Sequence, residues 1–187
     1  MDRATQRGEG AHPPTIIIPP RTLLVLCGPA GSGKSTFAKR LVDRHSSEGW
    51  QPTMIVSSDA CRGLICDDEN NQQVNRDTFD LFYYIISKRL YQNRLTLADS
   101  TALQADPRRH LLEIAQRYHY NACLFLFDVS LETCLQRDRQ RKRQVGEQVI
   151  LYHMGLLKQA LLDAPNEGWY QFAILKEQAS DIEIVVR

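Results

Sequence analysis

The sequence is short of several things at once. No apolar run approaches the roughly 20 residues that carry a helix across a bilayer; the longest, such as 122–127, has the length of a strand. A helical membrane span is excluded on that ground. The five cysteines (Cys27, Cys61, Cys66, Cys123, Cys134) are odd in number and contain no C-x-x-C pair, which argues against structural zinc and a disulfide framework. They are expected as reduced thiols of a cytoplasmic protein. Neither sign of charge dominates, with 23 Lys and Arg against 22 Asp and Glu, a formal net charge of +1. That balance leaves no whole-protein footprint for nucleic acid, while a local basic groove stays open. The five histidines show no metal-ligand spacing. Near the N-terminus the apolar triplet 16–18 sits between prolines, too short for the core of a signal peptide, so secretion by that route is not expected.

What is present is enough for one globular domain: 187 residues, 43% hydrophobic and 24% charged. Residues 1–20, rich in Gly, Pro and charge, are expected as a flexible tail, and 21–187 as the domain. Short apolar runs at 22–27, 53–57, 95–98, 122–129 and 172–175 predict buried strands. Helical periodicity predicts helices at 34–45, 75–93, 107–119 and 147–162, with Asp106 as a cap before Pro107 and Ser130 capping a further helix. Residues 181–187 read equally as strand or helix. Strand and helix in alternation predict an α/β fold, a parallel sheet of about five strands with helices on both faces. The active site is then expected at the carboxyl ends of the strands.

Residues 28–35, Gly-Pro-Ala-Gly-Ser-Gly-Lys-Ser, satisfy G-x-x-x-x-G-K-[ST] between a predicted strand and a predicted helix. Gly28, Gly31 and Gly33 let the backbone turn successive N–H groups onto an anionic phosphate chain, and the following helix offers it a positive end. Lys34 reaches the β- and γ-phosphates and Ser35 can ligate Mg²⁺. With Ser32 and Thr36 these form the expected ATP-binding set. The motif alone leaves a kinase, an ATPase motor or switch, and a regulatory nucleotide sensor open. A compact phosphotransferase fits the short chain best, and no N-K-x-D sequence reads guanine.

Asp59 lies just past the second predicted strand, where a carboxylate can accept the proton of an attacking hydroxyl. Arg62 can orient it or hold an acceptor phosphate; the bland alternative is a cap and a surface arginine. Asp99 and Asp128 each end a strand where P-loop proteins place a Mg²⁺ partner, and Asp99 is preferred as a metal partner at one remove. The dense basic run at 137–143 lies between two predicted helices, as a lid would. Arg137 and Arg141, four apart, would share one side of a helix and close over the γ-phosphate, or else form a solvated face. The aromatics Phe79, Phe82, Tyr83, Tyr84 and Tyr91 can stack a base but at helical spacing are expected in the core. Residues 67–70 are expected as a solvated acidic loop.

Taken together, G-x-G-K-S-T-F-A-K, then S-S-D-x-C-R-G-L, D-D-E-N, S-K-R-L and an Asp at a strand end make the stretch 23–175 similar to the polynucleotide 5′-hydroxyl kinases. The resemblance is nearest to the kinase module of bacterial RNA-repair polynucleotide kinase-phosphatases. It implies ATP- and Mg²⁺-dependent transfer of the γ-phosphate to the 5′-OH of single-stranded or broken-end RNA or DNA. Asp59 is then the general base, Arg62 its partner, Asp99 the acidic residue of the family's D-A-T-N segment, and Arg137 and Arg141 the lid arginines. A phosphatase or ligase would be the partner in end repair. The chain departs from the pattern at Asp99-Ser100-Thr101-Ala102, which lacks the asparagine, and in a lid one residue shorter before Gln144, so no role carries over to Arg143. A kinase for a small hydroxylated molecule (nucleoside, sugar or antibiotic) and a non-catalytic ATP-binding regulator are the competing readings.

Overall fold

The computed structural model describes residues 15–177 and 182–187. In the order of the chain, β1 (Thr15–Ile18) and β2 (Thr22–Cys27) precede α1 (Lys34–Arg44). Then come β3 (Ile55–Ser57), α2 (Ser58–Cys66), α3 (Asn75–Tyr91), β4 (Thr96–Asp99) and α4 (Ala105–Arg117). The rest is β5 (Asn121–Phe127), α5 (Leu131–Arg139), α6 (Glu147–Asp163), β6 (Gln171–Leu175) and β7 (Glu183–Val186). Five strands form one parallel sheet in the order β3-β4-β2-β5-β6.

The near-continuous apolar strands follow from burial on both faces. All six residues of β2 are buried. Its alternate side chains serve two cores: Leu23 and Val25 pack with Phe82, Ile86 and Leu90 of α3 and Leu111 of α4, whereas Leu24 and Leu26 pack with Phe37, Ala38 and Leu41 of α1. Fully burying one such side chain stabilises the fold by about 1.5–3 kcal/mol. The sheet is parallel and covered on both faces, as the alternation of elements predicts. Among the described residues, no helix is long and apolar enough to cross a membrane.

Several local expectations are corrected. Residues 1–14 of the expected tail lie outside the described residues, but Thr15–Ile18 is a strand paired in parallel with β7, Ile18 against Val186. Ile18 and Ile184 are fully buried in the α1-side core, so the apolar triplet between prolines is folded structure. The same pairing makes 183–186 a strand. A helix, α2, follows β3 without a break; Ser57 caps it by accepting from the Ala60 N–H at 3.4 Å. Asp106 is not a cap: α4 begins at Ala105 after Gln104, and Asp106 lies in the first turn, paired with Arg109 at 3.3 Å on the surface. The aromatic group divides. Phe82 is buried, while Tyr84 and Tyr91 are exposed. Phe79 meets Phe82 edge-on at 6.0 Å and also faces the cleft described below.

Candidate active site

The P-loop crosses from β2 to α1 at the carboxyl edge of the sheet. Two of its glycines are required by shape. Gly31 has φ 81° and a Cβ there would stand 2.4 Å from the Cys134 carbonyl oxygen; Gly33 has φ 99° and forms the N-cap of α1 without any side-chain cap. The first N–H groups of α1 therefore have no side-chain acceptor, a geometry suited to an oxyanion. Lys34 is buried with its ammonium turned back onto the loop, donating to the carbonyls of Gly28 at 2.8 Å and Pro29 at 2.7 Å. Desolvation holds its pKa below the usual lysine value, against the pull of Asp99.

Asp99 ends β4 opposite Leu26 of β2, which sets its carboxylate beside the loop. It is buried and pushed above the usual carboxylate range by desolvation, with Lys34 and then the Ser35 hydroxyl opposing the shift. Its competitor Asp128 follows β5 and pairs instead with Lys176. Ser35 and Asp99 are thus the oxygen donors next to the phosphate cradle. Among the described residues, no cluster of three or more His, Cys, Asp or Glu could hold a metal by itself. Two protein oxygens completed by phosphates and water match how Mg²⁺ is ordinarily held, so the donor set fits that ion.

Across the cleft, the first turn of α2 carries Asp59. Arg62, one turn on and buried, donates to Asp59 Oδ1 at 2.9 Å, to the Glu69 carbonyl at 3.2 Å and to Asn75 Oδ1 at 2.9 Å. Both Nη atoms donate inside the protein, while the buried Nε has no partner among the described residues; the bond to Oδ1 lets Arg62 orient the carboxylate. The second oxygen of Asp59 accepts from Arg143 at 3.2 Å. Arg143 also donates to the Glu69 carboxylate at 2.8 Å, to the Glu69 carbonyl at 2.6 Å and to the Asn70 side chain. The acidic stretch 67–70 is therefore no simple solvated loop, because Glu69 and Asn70 anchor the arginines that hold Asp59.

Arg137 and Arg141 do not share a helix face, since α5 ends at Arg139. Arg137, still helical, donates to the Ser32 carbonyl at 3.0 Å. Arg141 lies beyond the helix and lines the space on both sides of the loop. One side is a recess of about 360 Å³ against Thr36, Phe37, Arg40 and Phe127. The other is a cleft of about 760 Å³ holding Lys34, Ser35, Asp59, Arg62, Asp99 and Arg143 together.

Two contributors escaped the sequence. Arg143 contacts Asp59 across 84 positions, which no local spacing reveals. His153, on α6, accepts from the Ala30 N–H at 3.2 Å; its only sequence signal is a lone histidine on a helix. Behind the cleft, buried Arg108 donates to the carbonyls of Ala102 at 3.1 Å and Leu103 at 2.6 Å and to both oxygens of Glu167. It braces the β4–α4 connection at Ala102, whose φ of 44° is unusual for a residue with a side chain.

Residues 23–160 match a family model described as an AAA domain. A chain in the structure of the Pnkp1/Rnl/Hen1 RNA repair complex superposes with a TM-score of 0.64 at 18% identity, over 83% of this chain and 47% of that one, so this chain spans about half its length. The Mycobacterium tuberculosis APS kinase CysC, in complex with AMPPNP and APS, gives 0.56 at 18% identity, over 86% of this chain and 95% of that one. A gluconokinase from Sinorhizobium meliloti 1021 gives 0.54 at 14% identity, over 85% and 84%. Likenesses at these identities establish the shared fold.

Proposed function

The chain belongs to the AAA domain family, and from that premise we propose that it is a polynucleotide 5′-kinase. It would transfer the γ-phosphate of ATP to the 5′-OH of RNA or DNA in end repair, alongside a phosphatase or ligase. The observation that carries this reading is Asp59. Its carboxylate opens onto the same cleft as Lys34, Ser35 and Asp99, and each of its oxygens is held by an arginine.

The loop N–H groups and Lys34 hold the phosphate chain, and Lys34 leaves the Gly28 and Pro29 carbonyls to do so. Ser35 would hold Mg²⁺ with Asp99 as its partner at one remove, and the ion would supply neutralising charge on the transferred group when bound. Asp59 takes the proton as the acceptor oxygen bonds to phosphorus and the bond to the departing ADP oxygen breaks. Arg137 and Arg141 counter charge on the equatorial oxygens, the cis arginine role. The 360 Å³ recess beyond Thr36 suits the donor's nucleoside. For the acceptor, the wider cleft has Lys34, Arg62, Arg141 and Arg143 against Asp59 and Asp99, a local cationic excess that favours a polyanion.

The test is transfer from γ-labelled ATP with Mg²⁺ to a 5′-OH oligonucleotide, with a 5′-phosphorylated strand and Asp59→Asn as controls. Label on the 5′-OH strand alone, reduced about 10²-fold or more in Asp59→Asn with ATP binding preserved, is expected. Tight ATP binding without label on RNA or DNA would overturn the polynucleotide assignment and turn attention to small hydroxylated acceptors.

A further inference from the structure

The P-loop is gripped from both flanks of the lid. From α5, Arg137 donates to the Ser32 carbonyl at 3.0 Å. From α6, the His153 ring accepts from the Ala30 N–H at 3.2 Å through Nδ1. A loop carbonyl and a loop N–H that water would otherwise satisfy are thus held by side chains from the two helices joined by residues 140–146. The role proposed for Arg137 follows from charge; nothing in the kinase scheme uses His153.

To accept, Nδ1 must be unprotonated, with the ring proton on Nε2. The surroundings favour that form. The ring is half-buried, and burial together with the nearby Lys34 ammonium holds its pKa below the ordinary imidazole value. The same cleft brings Asp59 and Arg62 from α2, Asp99 from β4, Arg141 and Arg143 from the lid, and Tyr152 from α6 itself. The contact is therefore intact at neutral pH and lost as pH falls through that lowered value, when Nδ1 gains a proton and faces the Ala30 N–H as a second donor.

We propose that His153 is a positioning residue for the nucleoside triphosphate, acting through the Ala30 N–H to hold the first half of the P-loop so that the N–H groups after it stay aimed at the phosphates. The inference rests on reading the loop as a triphosphate site and is independent of the acceptor.

The experiment measures affinity for a non-hydrolysable ATP analogue with Mg²⁺ by calorimetry, from about pH 5 to pH 8 across the histidine range, in wild type, His153→Ala and His153→Asn. Loss of the acceptor in His153→Ala should weaken binding up to about tenfold at neutral pH, the worth of one hydrogen bond. His153→Asn, with a carbonyl in reach of the same N–H, should recover most of it. The wild type should lose additional affinity on acidification that His153→Asn does not lose. Wild-type affinity in His153→Ala, no recovery in His153→Asn, or superimposable pH curves for wild type and His153→Asn would each overturn the proposal. ¹⁵N shifts of the imidazole in the nucleotide-free wild type add a reading that needs no variant: Nδ1 bare and Nε2 protonated at neutral pH is expected, and the opposite tautomer refutes the contact. Absence of analogue binding in the wild type would sink the triphosphate reading itself. Binding without transfer to RNA or DNA would sink only the choice of acceptor.

Discussion

The two walls of the cleft are built in different ways. The donor wall is mostly backbone: an uncapped helix N-terminus, a loop turned through Gly31 and Gly33, and one lysine that donates to the loop's own carbonyls. The acceptor wall is mostly side chain, with guanidinium groups as its fasteners. Arg62 and Arg143 fix Asp59 from two elements, and Arg108 fixes the carbonyls of the β4–α4 connection. A backbone cradle recognises what every nucleoside triphosphate shares, the phosphate chain. A side-chain wall can be rebuilt one residue at a time, which is how related folds come to serve different acceptors. The comparison predicts that damage to the donor wall is catalytic, whereas damage to the acceptor wall is graded by how deeply each arginine is buried.

The largest effect belongs to the donor wall. Lys34→Ala removes the one mobile cation of the cradle and should lower kcat by about 10²–10³-fold, the worth of a preorganised charge at a transferring group. Steady-state phosphate transfer measures it; a loss of only a few-fold would mean that backbone groups alone carry the site. Next comes Arg108, 1% exposed. Arg108→Met strips a buried partner from Glu167 and two donors from the Ala102 and Leu103 carbonyls. It should cost about 3–5 kcal/mol of stability, the range for breaking a buried pair from one side. Urea unfolding of the variant checks this, and a cost under about 1 kcal/mol would show that the brace is not coupled to the fold.

The same contrast explains what could be read from the sequence. The loop of the donor wall was legible because its residues are contiguous: Gly28 to Thr36 carries the glycines, lysine and hydroxyl within one motif, whereas ending an apolar strand marked Asp99 and Asp128 alike. The acceptor wall was legible only at Asp59 and Arg62, which lie one helical turn apart. Arg143 meets Asp59, and Glu167 meets Arg108, only after the chain has folded. The strand Thr15–Ile18 was hidden for a similar reason, since its partner begins at Glu183 and prolines flank it. Helix α2 was hidden by brevity: nine residues with Gly63 inside give periodicity little to act on. The sheet needed none of these contacts, because alternating apolar runs and helical stripes already imply burial on both faces.

The smallest effect is expected at Arg143, and it tests the grading most directly. Arg62 and Arg143 bind the two oxygens of one carboxylate at similar lengths, 2.9 and 3.2 Å. Their side chains differ in exposure, 5% against 28%, and Asp59 itself is 55% exposed. Water and salt therefore screen the Arg143 pair far more, and pairs of that kind contribute about 0–1 kcal/mol. Arg143→Gln should slow transfer only about two- to fivefold, with the difference from wild type shrinking as salt is raised from about 0.05 to 0.5 M. Arg62→Gln leaves both the carboxylate and the Asn75 side chain without their buried donor, and should cost more at every salt concentration. Equal losses in the two variants would mean that Arg143 holds the Asp59 carboxylate as firmly as the buried Arg62 does, and that burial does not set the order along this wall.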